Sequence, residues 1–225
     1  MLEHEHVPSA AELDEILHDA RSRRLRSIRT GALFPETASA LVDLGFTPID
    51  TLTLLRLDLG EHPGDTGRGR AAAVAVPPVR IGRLRVSDDD DAAEVDRSAF
   101  GALWGYDGRT VTEVRRATPS HRARRIGARH QLEAYAISGA GGTTGYLQRL
   151  AVRPDRRRCG LASALVADSL HWMRSRGLTS ALVNTASDNH AALALYRRFG
   201  FEPLSECLTV AELALESRPA AAGTT

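Results

Sequence analysis

The run "VRPDRRRCGLASAL", Val152 to Leu165, combines residue types that can hold a phosphate. An apolar segment ends at Val152, Pro154 turns the chain, and an arginine-rich loop delivers Gly160 to the head of a predicted helix. The first N–H groups of a helix have no internal partner and carry the positive end of its dipole. A small residue there lets a pyrophosphate approach the backbone. Gly160 and Ala162 are small at those places, and Arg157 and Arg158 add charge. The loop has neither the Gly-Lys-Ser/Thr ending of a Walker loop nor a G-x-G-x-x-G fingerprint. On its own residues it reads equally as a phosphate cradle and as an arginine-rich loop capping an ordinary helix. A second stretch, "NHAALALYRRFGFEPL", sets Asn189 and Tyr196 on one predicted helix. Their spacing puts them near the same face and about 10 Å apart along the axis.

Together the two stretches resemble the GNAT N-acetyltransferase family. "LAVRPDRRRCGLASALV" fits its acyl-CoA-binding pattern, Arg/Gln-x-x-Gly-x-Gly/Ala, with Arg157, Gly160 and Ala162 in register. Cys159 stands where the family more often has Arg, and Ala162 where it more often has Gly. "NHAALALYRRFGFEPL" is similar to the family's closing motif, an Asn opening a helix, a Tyr seven residues on, then Gly-Phe. The resemblance runs from Arg80 to Leu215 and is strongest between Tyr146 and Leu204. It also extends to the ribosomal-protein alanine acetyltransferase branch, through stretches that mainly report CoA binding.

The resemblance implies acetyl-CoA as co-substrate, an amine acceptor (a small metabolite or a protein α-amino group), and no metal. Strands "GYLQRLAV" and "SALVNT" are then expected to splay, with the pantetheine arm pairing along Leu150, Ala151 and Val152. The phosphates would lie on the backbone of Arg157, Arg158, Cys159, Gly160, Leu161, Ala162 and Ser163, with Asn189 bonding the arm. A strand N–H would stabilise the oxyanion, and holding the two substrates together would be the main catalytic contribution. Tyr196 is the candidate general acid for the departing thiolate, against the plain reading of a core tyrosine. Phe100, Trp104 and Tyr106 lie where such enzymes build the acceptor pocket, and they read equally as a hydrophobic anchor. No base is assigned: "GYLQRLAV" has no carboxylate, and Glu133, His121 and His130 are candidates by position only. The alternative to an enzyme is a non-catalytic acyl-CoA-binding sensor.

These residues require an α/β scaffold, a mixed central sheet with helices on both faces. "RIGRLRV" reads as a first strand, "SDDDDAAEVDRSAF" as a helix with acidic residues at its N-terminal end, and "TVTEVRRA" as a helix stopped by Pro119. "LEAYAIS" and "GYLQRLAV" read as strands around the turn "GAGGTTG", followed by the helix "GLASALVADSLHWMRSRG" with Gly177 as its stop. "SALVNTA" is a buried strand, and "SDNHAALALYRRFG" a helix capped by Ser187 or Asp188. "FEPL" and "CLTVAELAL" are two closing strands.

Upstream, "LGFTPI" (Leu44–Ile49) echoes "FGFEPL" (Phe199–Leu204) at a spacing of 155 residues. At that offset the helix–strand–helix–strand reading of "AELDEILHDARSRR", "LRSIRTGAL", "PETASALVDLG" and "TLTLLRLDL" overlays the later elements. Arg157, Gly160, Ala162, Asn189 and Tyr196 fall on Leu2, Glu5, Val7, Phe34 and Leu41, so no candidate site residue recurs. Residues 1–59 are therefore expected to be a degenerate GNAT half-domain, as in tandem members such as mycothiol synthase. A linker at 60–79, a catalytic domain at 80–216 and a frayed tail at 217–225 follow.

Composition excludes several alternatives. The net charge of +1 gives no bulk case for nucleic acid or membrane partners, and no apolar run approaches the roughly 20 residues of a spanning helix. The two cysteines, Cys159 and Cys207, form neither a disulfide framework nor a zinc site, and His4 and His6 lack further ligands. A cytoplasmic protein is expected, with homodimerisation left open. All 29 basic residues are arginine, and the runs "RSRRLRSIR" and "RRATPSHRARR" are read as solvated surface, with an RNA-contact face as the alternative.

Overall fold

In the computed structural model, residues 8–60 and 78–215 are described; most of the linker expected at 60–79, the tail expected at 217–225, and His4 and His6 lie outside them. The elements are α1 (Ala10–Ser22), β1 (Ser27–Arg29), α2 (Pro35–Asp43), β2 (Thr47–Asp58), β3 (Ile81–Arg83), α3 (Asp89–Trp104), α4 (Gly108–Arg116), β4 (Ser120–Ala128), β5 (Gln131–Gly141), β6 (Thr144–Val152), α5 (Leu161–Ser175), β7 (Ser180–Ala186), α6 (His190–Arg198) and β8 (Glu202–Ala214). They form two compact units. Of the described residues the larger contains 55–60, 78–184 and Asn189–Pro203; the smaller contains residues 8–54, Thr185–Asp188 and residues 204–215. No described helix is long and apolar enough to cross a membrane.

In the larger unit the strand order is β2-β7-β6-β5-β4-β3. β4, β5 and β6 form an antiparallel meander, and β6 and β7 run parallel, joined through α5. Apolar residues on both faces demand helices on both. One core cluster takes Leu165, Met173, Ala181, Tyr196 and Phe201, around α5 and α6. The other takes Val95, Val111, Tyr135 and Ile137, around α3 and α4.

The smaller unit has the strand order β1-β8-β2, with Ser27 opposite Ala214 and Arg29 opposite Glu212. Its core holds Leu13, Leu41, Phe46 and Ala211. α1 starts with a capping box, in which the Ser9 hydroxyl accepts from the Glu12 N–H and the Glu12 carboxylate from the Ser9 N–H.

The two echoing phrases make the same helix ending. After α2, Gly45 has φ 94°, its N–H donates to Val42 O, and the Phe46 N–H donates to Leu41 O at 3.0 Å. After α6, Gly200 has φ 89°, its N–H donates to Arg197 O, and the Phe201 N–H donates to Tyr196 O at 3.1 Å. Both are Schellman caps, in which the left-handed position favours glycine and the following phenylalanine is buried.

Four features differ from the sequence expectation. β4 was not expected, because "SHRARRIGA" lacks apolar alternation. Ion pairing takes the place of apolar contact on one face, where Arg122 bonds both carboxylate oxygens of Asp168 on α5 and Arg124 reaches the same group at 3.3 Å. The strand expected over "RIGRLRV" stops at Arg83, since the chain enters a 3-10 turn in which Asp88 accepts the Arg85 N–H. "FEPL" and "CLTVAELAL" form one strand, as Pro203 sits near its start, where a missing donor costs little. The α6 N-cap is Asn189, whose Oδ1 accepts from the Ala192 N–H, whereas the Ser187 hydroxyl donates to Thr51 O.

Asp168→Asn should lower stability by about 1–3 kcal/mol, between the values for exposed and buried pairs, because it leaves two half-buried arginines without their counter-charge. The urea unfolding midpoint measures this.

Candidate active site

The pairing of β6 with β7 runs from Thr144↔Ser180 to Tyr146↔Leu182 and stops. β6 continues to Val152, still paired with β5 through Leu150↔Ala136 and Val152↔Ala134. Its opposite edge over Leu147–Val152, with Leu150, Ala151 and Val152, is thus free of β7, the splay that an extended ligand needs in order to pair as an extra strand. The β5–β6 register shifts between Ile137↔Arg149 and Ser138↔Leu147, which makes Gln148 a bulge residue. A bulge bends the strand and re-aims its side chains.

The loop after β6 ends in two left-handed residues, Arg158 at φ 63° and Gly160 at φ 77°. Alternating left-handed residues curl successive N–H groups toward a common point, an anion-binding geometry. Gly160 is the N-cap of α5 and supplies no side-chain cap, so the first N–H groups of α5, at Leu161, Ala162 and Ser163, meet no capping oxygen. The Arg157 Nη2 donates to Ala99 O on α3 at 3.0 Å, and Arg156 binds Glu133 at 2.8 Å, which fix the loop from both sides. Arg158 and Cys159 are exposed beside it.

Asn189 opens α6, and Tyr196 lies buried along it, its ring edge-on to Phe201 at 5.8 Å. Because Asn189 Oδ1 is engaged in the cap, its amide N–H₂ is the group left for a ligand. Burial holds the Tyr196 hydroxyl above the ordinary phenol range, while the positive charge of Arg149 pulls it part of the way back. A buried neutral phenol is a proton donor throughout the neutral range.

Asp96 and Arg149 were missed by sequence reasoning. Asp96 on α3 has no exposed surface and accepts from the Tyr106 N–H at 2.7 Å, the Tyr135 hydroxyl at 2.5 Å, and Arg149 Nε and Nη2 at 2.8 and 2.6 Å. Arg149 also donates to Trp104 O at 2.8 Å. Its guanidinium lies 3.9 and 3.8 Å from the ring centroids of Phe100 and Tyr106. The structure thus gathers Phe100, Trp104 and Tyr106 around Arg149, one residue from Leu150. The available signal was a carboxylate on the Ala92–Ala93–Val95 stripe and a lone arginine inside an apolar strand. His130 Nδ1 lies 3.1 Å from Asp91, Glu133 is paired with Arg156, and His121 lies at the opposite end of β4 from Ile126, which pairs with Ala134.

Asp96→Asn should cost about 3–5 kcal/mol, because Arg149 then stays buried without a counter-charge. Adding Arg149→Met should recover part of that, with a coupling above about 1 kcal/mol in a double-mutant cycle of urea unfolding. Stability should also fall as pH rises through about 10. Burial raises the hydroxyls of Tyr135 and Tyr196 above the unfolded value near 10, so in that range the unfolded chain gives up protons that the folded one keeps. Unfolding midpoints at pH 9 and pH 11 check this, with a shallower slope for Tyr135→Phe.

Comparison with known proteins places this geometry in a family. The profile of the "Acetyltransferase (GNAT) family" matches residues 118–201. N-alpha-acetyltransferase 30 of Schizosaccharomyces pombe is 40% identical over 62 residues, 27% of this chain and 41% of its own length. Mycothiol acetyltransferase of Saccharomonospora viridis is 32% identical over 111 residues, 48% of this chain and 31% of its own. The chain thus spans less than half the length of these relatives. A tandem GNAT protein from the clavulanic acid biosynthesis pathway superposes with a TM-score of 0.56 at 19% identity, over 91% of this chain and 69% of that one, and shares the fold. Residues 118–201, which match the GNAT acetyltransferase family, hold the unpaired β6 edge, the loop before α5 and the helix of Tyr196.

Proposed function

We propose that the chain is an acetyl-CoA-dependent N-acetyltransferase acting on a primary amine, a small metabolite or a protein N-terminus. The observation that carries this reading is the conjunction on β6 and α5, where a strand edge freed beyond Tyr146 leads within a few residues into the left-handed turn at Arg158 and Gly160. One feature suits a pantetheine amide chain and the other a pyrophosphate, and a CoA thioester contains both, in that order from the acyl end. The family match over residues 118–201 supports the same co-substrate.

In this reading Leu150, Ala151 and Val152 hold the arm through their backbone. The N–H groups from Arg157 to Ser163 take the phosphates, with Arg158 adding charge, and Asn189 donates to the arm. The neutral amine attacks the thioester carbonyl, the C–N bond forms and the C–S bond breaks. Tyr196 gives its proton to the leaving thiolate, the ammonium proton passes to solvent, and solvent returns a proton to Tyr196 once the thiol has left. Arg149 acts as a positioning residue, because it holds the aromatic residues of the α3–α4 connection against the strand that carries Leu150. A fixed guanidinium near the acceptor also favours the neutral, attacking form of an amine.

The first 59 residues are read as the back half of a degenerate GNAT unit, supported by the α1-β1-α2-β2 order and the matching caps at Gly45 and Gly200. The division into a half-unit, a linker at 60–79 and a catalytic part from 80 is part of this proposal.

Thiol release from acetyl-CoA over a panel of amines and N-terminal peptides tests the reading. Tyr196→Phe should lower kcat by about 10²–10⁴, with little change in the KM for acetyl-CoA. Unchanged turnover in this variant would remove the acid assignment. Saturable CoA binding with no thiol release on any acceptor would instead favour a non-catalytic acyl-CoA sensor.

A further inference from the structure

The arginine run "RRATPSHRARR", Arg115 to Arg125, is left unused by acetyl transfer. In the larger unit several of its members converge on a recess of about 200 Å³ lined by Arg83, Arg115, His121, Arg122, Arg124 and Trp172. β3 covers β4 only from Ile126 to Arg124, with a last bond from the Leu84 N–H to Ala123 O, and the recess lies where that cover ends. Trp172 is eleven residues along α5 from Leu161, about 16 Å along the axis, so the recess is separate from the loop that precedes α5.

Its charge is unbalanced. Four arginines line it, and the carboxylates bound to them are Asp89, on Arg115, and Asp168, shared by Arg122 and Arg124. Four positive charges against two negative leave an excess of two. Arg83 is exposed and stands outside every described ion pair. Arg115 is anchored deeply, its side chain 7% exposed, donating to Leu84 O and to Asp89, yet its Nε–H is buried with no partner. A buried donor without an acceptor is costly. Partial burial and the charges of Arg115 and Arg83 push the His121 imidazole down, as expected beside excess positive charge.

We propose that this recess is a binding site for a small dianion, a phosphomonoester or dicarboxylate group, held by Arg83, Arg115 and Arg122 with His121 at its rim. Arginine suits such groups because its planar fork matches two acceptor oxygens at once. A recess of about 200 Å³ has room for one such group. Elsewhere in the run Arg125 faces Asp88, and Arg124 shares Asp168 with Arg122, which leaves the pair with one positive charge in excess.

Calorimetric titration of the full chain with inorganic phosphate and with malonate, at fixed ionic strength set by chloride, tests it. The expected result is one saturable site for at least one of the two dianions. Arg83→Gln should weaken it at least tenfold, and Arg158→Gln, in the loop before α5, should leave it unchanged. Asp168→Asn should tighten it several-fold although it lowers stability, a result that loss of structure cannot mimic. The NMR titration midpoint of His121 should rise on saturation. Binding of phosphate alone assigns a phosphomonoester ligand, and binding of malonate alone a dicarboxylate. Absence of saturable binding by either probe, equal affinity in Arg83→Gln, or loss of binding in Arg158→Gln would overturn the proposal.

Discussion

A single buried carboxylate organises the α3–α4 side of the larger unit. Asp96 lies in the α3–α4 core, yet it collects a backbone N–H from Tyr106, a phenol from Tyr135 and two bonds from Arg149. An isolated charge could not be held there; four donors and an opposite charge make it tenable. Because the donors come from the connection after α3, from β5 and from β6, one group sets the register among three elements. Around it, Phe100 and Tyr106 find a cation to lie against, and the chain after Gly101 is tied back to β6 through Trp104 O.

The strand held in this way is the one whose other edge is free. β6 is paired with β5 on either side of the Gln148 bulge but with β7 over three residues only, so one edge is left unmatched over six residues. An unpaired strand edge is normally a liability, and here it adjoins a left-handed turn and an uncapped helix start. Three sets of backbone groups without side-chain or strand partners are thus lined up in sequence, the arrangement that the proposed long, jointed, terminally anionic co-substrate would require. The proposed chemistry needs little more from the side chains than Tyr196, kept neutral by burial.

Much of the positioning machinery was legible from the residues. The loop between Pro154 and Leu161, the start of α5, the helix of Tyr196 and both glycine-phenylalanine helix endings appear where the sequence put them, because each depends on neighbours within a few positions. The strand β4 was not legible. Its apolar residues, Ala123 and Ile126, are too few to show a period, and the charges of Arg122 and Arg124 find their partner only in Asp168, more than forty residues later. The same run had suggested a solvated or RNA-contacting surface, since a charge's partner cannot be seen until the chain has folded. Arg149 was overlooked for the same reason, its partner Asp96 lying 53 positions away.

The sequence by itself determined the local backbone chemistry of this protein, where glycine must turn left, where a helix must begin, and which phenol lies one helix from an asparagine. Those outcomes follow from sterics and hydrogen bonds over four to six residues. Only the tertiary structure decided which charges are spent and which are left over. Asp96 and Asp168 absorb arginines from distant strands, the edge of β6 is released because β7 departs after Leu182, and Arg83 is left with an excess charge beside the recess. Ion pairs and strand edges depend on partners remote in the chain, and neither carries a periodic signature that a sequence could display.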